Sequence, residues 1–288
     1  CNQSFEELPS IDQQLTFSKL SIELIRVLGI EQLNRDILKT LELYSDQNGF
    51  NNAAALLADT NSFKGIDIIR FGNSINEIME RKSLENISIL LQMEQCIQMF
   101  HQYYRYEKIE GMDRKSVDKI PERAFREAVA NALVHRMWDI PASIKISMYS
   151  DKIEISSPGG LPAGISEDEY LNGQISLLRN PIIGNVFFRL KYIEKFGTGI
   201  MRINYAYKDA LIKPDYHIFS NSIQIILPVI KSDYKLNETE KKLLNILKIN
   251  GSMTRNEIEK AAEIDKSKAI RGLNRLIEKK MIQKRDLG

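Results

Sequence analysis

The stretch that most constrains this chain is Phe125-Arg126-Glu127-Ala128-Val129-Ala130-Asn131-Ala132-Leu133-Val134-His135-Arg136. Phe125, Ala128, Val129, Ala132 and Leu133 recur at the spacing of one face of an amphipathic helix, and Pro121 suits its first turn, where a missing amide is no loss. Glu127 and Asn131 lie one turn apart on the other side, about 40° from each other at 100° per residue. Two glycine-bearing segments follow, Pro158-Gly159-Gly160 and Gly197-Thr198-Gly199. A carboxylate that can orient water, an amide oxygen that can hold a hard cation, and loops that let the backbone approach a ligand make an ordered set. Taken singly, each part has a plainer reading: the pair as the polar face of an ordinary helix, Pro158-Gly159-Gly160 as a turn.

With 288 residues the chain is long for one domain, and three regions are expected, at 1–112, 113–232 and 236–288. The net charge of +2 gives no global reason to invoke nucleic acid or membrane. Charge is nevertheless segregated: residues 237–288 hold 13 Lys+Arg against 8 Asp+Glu, a local +5, which leaves −3 on the rest. Cys1 and Cys96 cannot build a disulfide framework, and three scattered histidines offer no zinc spacing. A reducing, cytoplasmic setting is expected, with no membrane span or signal peptide. A start at Cys1 rather than Met suggests a fragment that has lost its N-terminal part.

Residues 5–44 and 84–106 read as helical, and 65–71 as a strand, which makes the first region a helix-rich α+β segment. In the second, alternation at Ile144, Ile146 and Met148, then Ile153 and Ile155, predicts an antiparallel pair turning at Ser150-Asp151. Residues 222–227 read as a last strand. Between them, residues 161–196 form a long polar excursion, read as a lid with one helix after Asn180-Pro181. There Asn180 is expected to cap and Pro181 to start the helix, leaving Arg179 free to meet a phosphate. His135 and Arg136 could meet a phosphate too, although cations at a helix end also simply complement its dipole. Trp138 and the tyrosines at 103, 104 and 106 read as core or interface.

The third region is marked chemically. Asn237-Glu238-Thr239-Glu240 and Thr254-Arg255-Asn256-Glu257 are capping boxes, and Asp265 can cap a third helix, so three short helices spell helix-turn-helix. Residues 281–284 read as the first strand of a wing. Ile270, Leu273, Leu276 and Ile277 are expected to be buried, leaving Lys266, Ser267, Lys268, Arg271, Asn274 and Arg275 on a face that can enter the major groove of double-stranded DNA. The other reading of that face is a solvated basic helix in a protein-interaction module.

The motifs Phe125 to Arg136, Ile155-Ser156-Ser157-Pro158-Gly159-Gly160-Leu161-Pro162, Arg179-Asn180-Pro181 and Ile193-Glu194-Lys195-Phe196-Gly197-Thr198-Gly199-Ile200 resemble those of a family of transcriptional regulators. The central part of that family is a RecG C-terminal-like, divergent histidine-kinase-type (Bergerat) ATPase domain. A Schlafen-type AlbA domain usually precedes it, absent here, and a winged helix often follows. The resemblance implies an α+β fold: a Bergerat-like α/β sandwich preceded by the helix-rich region and followed by a winged helix-turn-helix. It also implies that Glu127 orients water, that Asn131 binds Mg²⁺, and that Gly159, Gly160, Gly197, Thr198 and Gly199 approach ATP. Where working sites of this type hold an Asp for the adenine amino group, this chain has Ser157 or Pro158. Serine still hydrogen-bonds but gives up a charge-assisted contact of about 1.5–3 kcal/mol. No glycine-rich loop ending in Lys-Ser/Thr is present, so helicase chemistry is not expected. The leading expectation is a homodimeric DNA-binding regulator with a ligand-sensing ATPase-like domain. The alternatives are a Mg²⁺-dependent ATPase in DNA processing, and a structural dimerisation platform.

Overall fold

The structure, a computed structural model, describes residues 4–111, 113–162, 164–173, 177–194, 197–230, 236–278 and 281–284. The chain forms two compact units, 1–230 and 231–288.

The first unit opens with a 3-10 turn, Phe5–Glu7, followed by α1 (Ser18–Leu28), α2 (Arg35–Thr40), a small hairpin of β1 (Tyr44–Ser45) and β2 (Gly49–Phe50), and α3 (Asn52–Leu57). Next come β3 (Ile66–Phe71), β4 (Ile78–Leu84), α4 (Ile89–Tyr104), and a ribbon of β5 (Arg105–Glu110) and β6 (Asp113–Asp118). Then follow α5 (Glu122–His135), β7 (Ile144–Met148), β8 (Lys152–Pro158), α6 (Glu167–Leu171), α7 (Pro181–Arg189), α8 (Gly199–Ala206), β9 (Asp215–Phe219) and β10 (Ser222–Pro228).

Six strands make one mixed sheet in the order β4-β3-β7-β8-β10-β9, so the fold is α+β. All neighbours are antiparallel except β3 and β7, which run parallel with Ile66 opposite Ile144 and Ile68 opposite Ile146. Those four isoleucines are fully buried and form part of a continuous core with Ile153 and Ile155. The division expected at 112/113 is therefore corrected, because β3 from the first region and β7 from the second share hydrogen bonds and a hydrophobic face. The stretch read as helix from 84 to 106 is helical only over Ile89–Tyr104, with a strand on either side. The long excursion holds two helices, α6 and α7, where one was expected.

Helix α5 is the centre of this unit. It packs against α4, α7 and α8 as well as β8 and β10, and residues on nearly every side of it are buried. The supposed solvent face is thus covered, and Glu127 is only 7% exposed.

The second unit is three helices, α9 (Glu238–Asn250), α10 (Arg255–Ala262) and α11 (Lys266–Glu278). The starts are capped as the sequence predicts: Asn237 and Glu240, then Thr254 and Glu257, exchange reciprocal hydrogen bonds, and the Lys268 amide donates to Asp265 at 2.9 Å. Close packing of α9 on α11 needs Gly272, since a Cβ there would fall 2.5 Å from Leu243 Cδ1. The buried face of α11 is Ala269, Gly272 and Leu276, whereas Ile277, expected inside, is 37% exposed. Residues 281–284 form no strand, so the wing strand read from the sequence is not found there. Among the described residues, no helix is long and apolar enough to cross a membrane.

Candidate functional site

The fold gathers residues from α5, both glycine segments and the excursion around one pocket. Glu127, Asn131 and His135 line it from α5, each one turn from the next, together with Gly160, Arg179, Glu194, Gly197 and Gly199. Its apolar wall includes Ile165, Tyr170, Leu178, Ile193, Ile200 and Ile223. A smaller hollow adjoins it, sharing Asn131, His135, Tyr170 and Ile223 and adding Ser157, Gly159 and Ile225.

One close approach in the pocket is that of Gly199 to α5. A Cβ at Gly199 would fall 2.4 Å from Asn131 Nδ2 and 2.9 Å from Glu127 Oε1, so only glycine lets the start of α8 rest on that pair. Thr198, the N-cap of α8, makes no side-chain cap; its hydroxyl oxygen instead accepts from Arg202 Nε at 3.2 Å. Among the described residues the first amides of α8 have no side-chain cap, and they lie beside the carboxylate and amide of α5. Thr198 itself does not line the pocket, whereas Gly197 does, with φ +64°.

The first glycine segment is held just as tightly. Gly159 has φ +106°, and a Cβ on it would lie 2.1 Å from Arg179 Nη1. A Cβ on Gly160 would lie 2.3 Å from the Ser220 carbonyl oxygen. Arg179 lies over this segment, donating from Nη2 to Gly160 O at 2.7 Å and from Nη1 to His135 O at 3.3 Å. Asn180 corrects an expectation. Its side chain does not cap α7 but donates to Val134 O (2.7 Å) and Arg136 O (2.8 Å), closing the C-terminal end of α5.

Electrostatics divide the site. Burial raises the Glu127 carboxyl above the ordinary carboxylate range, opposed by the charges of Arg202 and Arg123 and reinforced by Glu194. Burial, helped by Arg179, pushes His135 down to about 4, so its imidazole is neutral at physiological pH. Ser157 donates its hydroxyl proton to Ala132 O at 2.9 Å, so toward the hollow it can only accept. Among the described residues no group of three or more acidic, histidine or cysteine side chains could hold a metal ion. Mg²⁺ does not need one, because it is usually held by one or two protein oxygens with phosphate and water. Asn131 Oδ1, beside the start of α8, fits that donor set, and Glu127 stands next to it.

Arg136 lies outside the pocket, and its assignment to a ligand is corrected. Its guanidinium is 1% exposed, donates to Lys64 O, Gly65 O (3.3 Å) and Ala142 O (2.7 Å), and lies over the Trp138 ring at 4.2 Å. With every donor direction turned inward, it anchors the end of α5 to the loop before β7. Tyr170 is among the wall residues that the sequence reading missed; an isolated tyrosine in a polar excursion carries no periodic signal. On α11, Lys266, Ser267, Lys268, Arg271, Asn274 and Arg275 are all exposed, as expected, although Arg275 lies 3.6 Å from the buried carboxylate of Glu240.

Residues 142–227 match the family described as "Putative ATP-dependent DNA helicase recG C-terminal". The match takes in both glycine segments but begins after α5, so Glu127 and Asn131 lie outside it. No curated protein matches the chain. The fold is similar to the crystal structure of the DIP2311 protein from Corynebacterium diphtheriae, with a TM-score of 0.71 over 95% of this chain and 18% identity. The chain spans 60% of that protein's chain, and the likeness is one of fold. Residues 142–227 are thus similar to the ATPase-like domain of the RecG C-terminal type.

Proposed function

We propose that the pocket binds a nucleoside di- or triphosphate and that the chain uses this occupancy to regulate binding of double-stranded DNA by the three-helix unit. The observation that carries the nucleotide reading is the seat of Gly199 on Asn131 and Glu127, which sets the start of α8 beside an amide oxygen and a carboxylate. Phosphate oxygens accept from such amides, and the helix dipole favours their charge. Asn131 would hold Mg²⁺, which would supply charge neutralisation for the phosphates. Arg179 faces the same space, while Tyr170 and Ile223 offer apolar surface to a base and Ser157 an acceptor to an amino group.

For the three-helix unit the supporting observations are the exposed basic face of α11 and the local charge of +5 over 237–288. In this reading Lys266, Lys268 and Arg271 meet phosphates while Asn274 reads a base edge. In this reading the protein acts as a homodimer, and nucleotide binding changes its DNA affinity. Fluorescence anisotropy of a labelled duplex pool, with and without MgATP, tests the coupling. A nucleotide-dependent change in affinity supports it, and equal affinity under every nucleotide condition refutes it.

A second reading, Mg²⁺-dependent ATP hydrolysis, is favoured by one observation, the buried Glu127 carboxylate with its raised affinity for a proton, which suits a group that orients and deprotonates water. Glu127→Gln should then abolish phosphate release while leaving binding intact. Turnover unchanged by the substitution removes Glu127 from that chemistry.

A further inference from the structure

The first described turn of the chain reaches the start of α7, the helix that follows the pocket residues Leu178 and Arg179. Glu6 is fully buried, and its carboxylate accepts from the amides of Ile182 (2.7 Å) and Ile183 (3.0 Å), 176 and 177 residues away in sequence. Those amides open α7, whose own N-cap side chain is turned elsewhere. Glu6 therefore supplies, from the far end of the sequence, the acceptors this helix start lacks.

Of the two residues just before α7, one is committed to the end of α5 and the other to the pocket. Asn180 closes the end of α5, and Arg179 joins Gly160 O to His135 O while lining the cavity. The segment holding Glu6 is itself clamped. Phe5 O accepts from Asn52 Nδ2 at 2.9 Å, Leu8 O accepts from the Asn52 amide at 2.9 Å, and the Phe5 ring meets Phe63 edge-on at 5.7 Å. Phe63 in turn meets Trp138, the ring under Arg136. Contacts from the N-terminal turn thus reach the end of α5 by two routes, one through α7 and one through this aromatic stack.

We infer that Glu6 is a positioning residue for the ligand pocket, fixing the start of α7 and through it the placement of Arg179 and Asn180. The affinity readout of this inference rests on the nucleotide reading of the pocket; its structural readout does not. A cap that merely stabilised α7 would lower the melting temperature and leave ligand affinity unchanged well below it. A positioning residue changes affinity, and does so through Arg179.

The test uses the full chain with Glu6→Gln, which keeps the size and one acceptor, and Glu6→Asp, which keeps the charge on a shorter stem. Amide hydrogen exchange without nucleotide is expected to quicken at 182–183 and also at 134–137 and 158–160. Affinity for MgATP, measured well below the melting temperature, is expected to fall roughly 2- to 30-fold, the range for coupling through a contiguous network. In an Arg179→Ala background neither Glu6 variant should weaken binding further. Exchange confined to 182–183 with unchanged affinity overturns the inference, as do losses that simply add to that of Arg179→Ala. If the parent chain binds no MgATP, the nucleotide reading fails by itself, and the exchange pattern still decides the role of Glu6.

Discussion

Replacing Gly199 by alanine separates the stability of the first unit from the competence of its pocket. The new methyl would stand 2.4 Å from Asn131 Nδ2, 2.9 Å from Glu127 Oε1 and 3.1 Å from Asn131 Oδ1. All three atoms are tips of side chains rather than backbone, so the clash is relieved by turning Asn131 and Glu127 away, at about 0.5–1.5 kcal/mol for each rotamer disturbed. Against this, alanine restricts the unfolded chain and recovers about 0.4–1 kcal/mol. The net change in stability is then within about 1–2 kcal/mol, or a midpoint shift of a few degrees for a unit of this size. The effect on ligand is larger. A nucleotide at 100 times its dissociation constant stabilises the folded state by about 2.7 kcal/mol, or roughly 5–10 °C. A tenfold loss of affinity halves that shift, and displacement of both Asn131 and Glu127 should remove most of it. Differential scanning fluorimetry with and without MgATP on parent and variant reads both quantities. A variant whose nucleotide-induced shift equals the parent's would refute the reasoning, because the pair would then be shown not to form the ligand's seat.

Asn180→Ala orphans two carbonyls at the end of α5 and should lower stability by about 2–4 kcal/mol in chemical denaturation. Asn180→Asp should be worse still, since a carboxylate would face those carbonyls; were Asn180 the cap of α7, aspartate would serve equally well. Burial raises the Glu6 carboxyl to about 7 from 4.5, outweighing its two amide hydrogen bonds. The folded chain keeps this proton at a pH where the unfolded chain releases it. Stability from Glu6 is therefore full below pH 4.5 and lost as pH rises to 7, by roughly 3 kcal/mol, and urea titrations across that window should show Glu6→Gln flattening the decline. Lys268→Ala and Arg271→Ala should each weaken duplex binding and lower the slope of log affinity against log salt by about 1; an unchanged slope would exclude both from phosphate contact.

Much of the candidate site was legible in the sequence because it depends on local spacing. One helical turn brings Glu127, Asn131 and His135 into line, and the glycine segments mark places where a side chain cannot fit. The capping boxes of the three-helix unit are equally local, and all of them form as written. What was not legible depends on distant partners. Nothing around Glu6 reveals an acceptor for a helix start 176 residues on, and nothing around Asn180 shows that its amide serves α5 rather than α7. Arg136 was misread for a related reason: a cation at a helix end suggests an anion, yet four backbone carbonyls from residues 64, 65, 140 and 142 surround it instead. The shared sheet was missed because an alternating strand such as β3 does not announce its neighbour, which proves to be β7 across a gap containing α4, a ribbon and α5.

Whether this pocket takes a phosphorylated nucleotide at the junction of α5 and α8 is decided by calorimetric titration of the chain with ATP in the presence and absence of Mg²⁺, repeated on Asn131→Ala. Saturable binding is expected, strengthened by Mg²⁺ in the parent and no longer strengthened by it in the variant. Absence of binding in the parent, or binding of equal strength and equal Mg²⁺ dependence in Asn131→Ala, would contradict the nucleotide reading.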